Sequence, residues 1–141
     1  MNARLLVCAL LSAALLLPAL ASAQDTDAAD GAPALAVTEI GFGAGFDYAQ
    51  RQLTGEADTF PAGIERIWCR TRVTGAVEPT TVTHVWYRDG KTMARVDLAV
   101  SSPDFRTVSS KRLLPDWTGA WEVKVLDADG TVIGAATFTV E

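Results

Sequence analysis

His84 is the only histidine of the chain, and it stands close to Trp86, Arg88, Lys91, Met93 and Arg95. Hydrolytic chemistry needs a Ser, Cys or Thr nucleophile with a base and an orienting acid. Here that requires His84, Ser109 or Ser110, and Asp97 or Asp104 to converge from separate segments, and no Gly-x-Ser-x-Gly supports it. A paired-carboxylate glycosidase needs two acids across a cleft, whereas these acids fall mostly in turns and near the start of the chain. Soft copper chemistry would draw on His84, Met93 and Cys69, but Cys69 lies in phase with an apolar set, so copper is a minor alternative. The expectation is a non-enzymatic protein with no cofactor and no metal. The residues that remain are arginines and tryptophans, which suit binding: arginine recognises carboxylates and phosphates with a planar fork, and tryptophan supplies apolar area.

The elements that must position them are strands. Asp89-Gly90 between alternating runs predicts a hairpin with a two-residue turn, pairing Arg88 with Lys91, Trp86 with Met93 and His84 with Arg95. That register puts Val85, Tyr87, Ala94, Val96, Leu98 and Val100 on a core face, and His84, Trp86, Arg88, Lys91, Met93, Arg95 and Asp97 on a cationic outer face. The run Ile64 to Val73 alternates in the same way, with Ile67, Cys69, Thr71 and Val73 inward and Arg66, Trp68, Arg70 and Arg72 outward. The candidate ligand-binding residues are therefore Arg66, Trp68, Arg70, His84, Trp86, Arg88, Met93 and Arg95.

Leu35 to Ile40 can form a first strand. Gly41 to Gly55 holds four glycines with Phe42, Phe46, Tyr48 and Leu53 between them, and reads as a loop or irregular strand plugging a sheet edge. Phe60-Pro61-Ala62-Gly63, Ser101 to Asp104, Pro115-Asp116 and Asp127 to Gly130 are turns. They bound further extended runs at Phe105 to Leu114, Trp121 to Leu126 and Thr131 to Val140. With no helical apolar repeat, the fold class expected is all-β: an antiparallel β-sandwich of about seven strands, immunoglobulin-like in general architecture. Trp117 or Trp121 is expected at its centre, and Cys69 as a buried, inert thiol.

Residues 1–23 read as a signal peptide. Arg4 precedes the uncharged stretch Leu5 to Ala21, and Ala21-Ser22-Ala23 forms a cleavage pattern. Cys8 stands early in that stretch, where no lipidation cysteine belongs. Residues 24–33 read as a flexible leader and 34–141 as a single sandwich domain, with no membrane span once the signal is removed. Ile64 to Arg112 carries nine Lys/Arg against five Asp/Glu, a net of +4, inside a chain of net charge −5. Overall acidity and export argue against nucleic acid, yet a concentrated cationic face can still steer an anionic partner.

Three strings then converge: Glu65-Arg66-Ile67-Trp68-Cys69; Thr83-His84-Val85-Trp86-Tyr87 with Asp89-Gly90-Lys91; and Phe105-Arg106-Thr107-Val108-Ser109-Ser110-Lys111. Gly119-x-Trp121-x-Val123-x-Val125, Asp129-Gly130 and Phe138-x-Val140 follow them in order. Together, over about residues 37 to 140, they resemble an uncharacterised bacterial family, the domain of unknown function 2914, found on secreted or membrane-attached proteins. The resemblance implies an all-β envelope domain and assigns no catalytic residues. The functional expectation is a secreted or periplasmic binding or docking module whose basic aromatic face takes an anionic polysaccharide, a lipid head group or an acidic protein surface. The alternatives are a purely structural envelope protein without a ligand and, further off, a small copper-binding periplasmic protein.

Overall fold

Apolar and polar residues alternating at period two build strands along nearly the whole of residues 34–141, the part that the computed structural model describes. The expected signal peptide and leader lie outside it. The strands are β1 (Ala36–Asp47), β2 (Gln52–Glu56), β3 (Thr59–Phe60), β4 (Arg66–Thr74), β5 (Thr80–Arg88), β6 (Lys91–Val100), β7 (Asp104–Arg112), β8 (Gly119–Leu126) and β9 (Val132–Val140). No helix occurs among the described residues. The strands form two sheets, ordered β2-β1-β4-β7 and β3-β9-β8-β5-β6, giving the expected all-β sandwich, with nine strands among the described residues against an expectation of about seven. Every pairing is antiparallel except that of the short β3 with β9, which is parallel.

The stretch from Gly41 to Gly55 is more regular than expected. β1 continues to Asp47 and turns into β2, with Gly43 opposite Glu56 and Gly45 opposite Thr54. Close approach explains the glycine: a Cβ on Gly43 would stand 2.8 Å from the Thr54 carbonyl oxygen.

Between the sheets, Phe42, Phe60, Ile67, Cys69, Trp86, Trp121, Val123 and Phe138 form the main core cluster. Trp121 and Phe138 stack with ring centroids 5.8 Å apart. Val73, Val82, Val100 and Val125 form a second cluster. The inward set of β4 is as expected, and Cys69 is fully buried; burial pushes its thiol far above the ordinary value. The native protein should therefore react slowly with a thiol reagent and quickly in denaturant. Cys69→Ser should cost about 1 to 3 kcal/mol if its hydroxyl stays unpartnered, as read from the urea midpoint.

The hairpin of β5 and β6 departs from the expected register. Its turn has two residues, with φ of 49° at Asp89 and 81° at Gly90, and Arg88 does pair with Lys91. The ladder then runs Tyr87 to Thr92 and Trp86 to Ala94, leaving Met93 as the extra residue of a β-bulge. The expected pairs Trp86 with Met93 and His84 with Arg95 do not form; His84 stands opposite Val96 and Val85 opposite Arg95. Beyond the bulge, β6 turns Ala94, Val96, Leu98 and Val100 inward as expected. β5 instead turns inward Val82, His84 and Trp86, all three fully buried. β5 lies between β8 and β6, so the largest ring of the hairpin gains most from the centre of the sandwich. Val85 is also fully buried, on the outer face, with Arg95 and Lys124 as its cross-strand partners.

Candidate functional site

The eight residues expected to make one basic aromatic face do not share a surface. Arg66, Trp68 and Arg70 lie on the outer face of the four-stranded sheet, because Ile67 and Cys69 between them point inward. His84 and Trp86 are in the core. Arg95 is exposed on the outer face of the other sheet. Arg88 is tied down, its Nε donating to the Thr118 carbonyl at 2.9 Å and its Nη2 to the Asp116 carbonyl at 3.3 Å. Met93 is half-buried and packs against the main core cluster.

His84 and Trp86 belong to a buried polar network. The Trp86 indole N–H donates to Ser109 Oγ at 3.2 Å, Ser109 Oγ lies 2.6 Å from His84 Nδ1, and Thr71 Oγ1 lies 3.1 Å from His84 Nε2. Ser109 accepts from the indole and keeps both a proton and a second lone pair for Nδ1. Both ring nitrogens are thus engaged, with a hydroxyl on the side where a triad would have a carboxylate. Burial lowers the His84 pKa from 6.5 to about 4, so the imidazole is neutral at pH 7.

The outer face of the four-stranded sheet offers a cleft instead. Its polar half encloses about 450 Å³, lined by Glu39, Gln50, Arg51, Gln52, Arg70 and Arg106 together with Ser102, Asp104 and Phe105. An adjoining, more apolar half of about 300 Å³ shares Arg51, Arg70, Phe105 and Arg106 and adds Phe46, Tyr48 and Val108. Strand register brings these together: Glu39 pairs with Arg72, Gly41 with Arg70, Arg70 with Val108 and Arg72 with Arg106. The turn between β1 and β2 supplies the rest. Asp47 Oδ1 accepts from the backbone N–H of Ala49 at 2.8 Å and of Gln50 at 3.0 Å, which shapes a turn in which Arg51 takes a φ of 55°. A non-glycine residue in that region is under strain.

Charge in the cleft is unevenly committed. Arg72 reaches Asp104 at 2.6 Å and Glu39 at 3.1 Å. The hydrogen bonds to Asp104 and then Glu39 hold its guanidinium above its ordinary pKa, and the bond from Arg72 lowers that of Asp104. Arg70 makes a longer contact with Glu39, 3.6 Å. Among the described residues, neither Arg51 nor Arg106 has a carboxylate within 4 Å. Beside them Phe46, Tyr48 and Trp68 pack in a triangle, with centroid distances of 5.1, 5.9 and 5.7 Å. Arg66 stands 5.9 Å from the Trp68 ring and donates to Ser110 Oγ at 2.8 Å. Trp68 and Arg70 were legible as outward residues; Phe46, Tyr48, Arg51 and Arg106 were not picked out. The available signal was the aromatic spacing ahead of Arg51, which reads as a sheet edge until the turn places it.

Residues 79–140 match the family described as Protein of unknown function (DUF2914). It is the family that the motifs resemble. The DUF2914 match takes in β5 to β9 and so Asp104, Arg106 and the buried pair His84 and Ser109, while β1, β2 and β4 with Arg51 and Arg70 precede it. None of the curated proteins matches the chain. Among solved structures, the crystal structure of an endonuclease/exonuclease/phosphatase from Beutenbergia cavernae DSM 12333 is similar at 20% identity, covering 76% of this chain and 35% of that one with a TM-score of 0.33. The chain spans about a third of that structure, and so slight a likeness carries no argument about activity.

Proposed function

We propose that this protein is a non-enzymatic binding module of the bacterial cell envelope, exported by way of residues 1–23, which docks an anionic partner in the cleft on the outer face of the four-stranded sheet. The observation that carries the reading is the division of charge: Arg72 takes both Glu39 and Asp104, whereas Arg51 and Arg106 line the cleft with no carboxylate within 4 Å among the described residues, Arg106 acting on Asp104 only through charge at longer range. Strain held at Arg51 adds support, because a turn that serves only to reverse the chain has no need of an arginine in the left-handed region. The ion pairs of Arg72 across β1, β4 and β7 favour a second reading, a structural protein whose charges brace the sheet.

Retention of the purified protein on immobilised dextran sulfate separates the two. Docking predicts retention at low salt that falls as salt screens exposed charge. Arg106→Ala and Arg51→Gly, the latter keeping the left-handed turn, should each weaken retention about two- to fivefold, as for exposed charge pairs. Arg95→Ala, on the opposite face, is the control. Equal retention of all three variants and the parent leaves the structural reading standing.

A further inference from the structure

Resting on that docking reading, we infer that the partner in the cleft is an acidic saccharide, a glycan bearing uronic-acid units. The lining is mixed in a way that a bare anion does not need. Phosphate or a lipid phosphate calls for donors and positive charge alone, whereas this cleft also presents the carboxylates of Glu39 and Asp104, already bonded to Arg72 and with lone pairs to spare. Those carboxylates, with the side-chain oxygens of Gln50, Gln52 and Ser102, are acceptors, and hydroxyl groups are the donors that they suit. A uronic-acid ring carries several hydroxyls around one carboxylate, so it meets acceptors and arginines together. An acidic protein surface offers carboxylates without that ring of hydroxyl donors.

The aromatic half fits the same ligand. Tyr48 is 68% exposed, yet its ring is braced edge-on against both Phe46 and Trp68, so an apolar surface is held rigid in water at the side of a cationic cleft. A sugar ring has an apolar C–H face that can cover it while the polar rim turns to Arg51, Arg70 and Arg106. Aromatic rings bring contact area at little conformational cost, and both halves of the cleft have the size of small-molecule sites.

The test is titration calorimetry of the purified protein with tetragalacturonate, its methyl ester, inorganic phosphate and phosphatidylglycerol vesicles. Tetragalacturonate should bind at least about tenfold more tightly than the uncharged ester, a difference of about 1.4 kcal/mol. Tyr48→Ala should weaken it at every salt concentration, and Arg106→Ala chiefly at low salt, with unchanged circular dichroism in both. If phosphate or vesicles bind as well as tetragalacturonate and Tyr48→Ala is silent, the saccharide is excluded while anion docking survives. Equal binding of the acid and its ester excludes both the arginine role and the acidic ligand. No binding of any of the four probes overturns the saccharide assignment, and the dextran sulfate measurement then decides the docking reading separately.

Discussion

Trp86→Ala should lower the unfolding free energy by about 3 to 5 kcal/mol, the range for removing a buried large aromatic side chain. That is a large share of the roughly 5 to 15 kcal/mol that holds a domain together. The side chain is fully buried, meets Phe138 edge-on with centroids 6.1 Å apart, and gives its N–H to Ser109. Trp86→Phe separates the contributions: it keeps most of the ring and loses the hydrogen bond, for about 1 kcal/mol. Urea midpoints of the parent and both variants check this. A midpoint for Trp86→Ala within about 1 kcal/mol of the parent would place the ring outside the core. The same residue on an exposed ligand face would instead leave stability nearly untouched, so the measurement also tests the bulged register.

The second large effect is a pH dependence from His84. Its pKa is lowered to about 4 in the folded protein against 6.5 for the ordinary imidazole, so between those values the unfolded chain binds the extra proton. Stability is then fully present above about pH 6.5 and is lost as pH falls towards 4, by about 3 kcal/mol in all. Denaturant midpoints at pH 7 and 4.5 should differ accordingly. His84→Gln, which keeps hydrogen-bonding capacity and cannot titrate in this range, should flatten the difference. Asp104 does not confuse the reading, because its pKa is lowered from 3.8 and its stabilisation is lost only below that. An equally steep pH dependence in His84→Gln would show that another group carries it.

Much of the sandwich was legible because alternation is a physical demand on any strand with one face in a core. Ile67, Cys69, Thr71 and Val73 needed only that rule, as did Ala94 through Val100 on β6. β5 was misread for a reason that the rule does not contain. One unpaired residue at Met93 lets a correct two-residue turn and a correct inward face on β6 coexist with the opposite face on β5. His84 added to the error, since a histidine beside Trp86 and Arg88 reads as outward. Thr71 and Ser109, which make its burial tolerable, come from another sheet and are 13 and 25 residues away. The cleft was half legible for the same kind of reason. Trp68 and Arg70 follow from alternation, whereas Arg51 and Arg106 meet only through the pairing of β1 with β4 and of β4 with β7.

That pairing has a kinetic consequence. β4 is the spine of its sheet, yet its partners lie far along the chain on either side: Phe42 opposite Cys69, and Arg66 opposite Arg112. The β5 to β6 and β8 to β9 hairpins can close locally, but the sheet that carries the cleft cannot assemble until two long loops have been closed at an entropic cost. Such a topology belongs with the slow folders, in the range of milliseconds to seconds. Until β7 docks, β4 has a free edge, with arginines alternating along it. Like-charged edges resist pairing with copies of themselves, and arginines at alternate positions give β4 that character wherever its edge is uncovered.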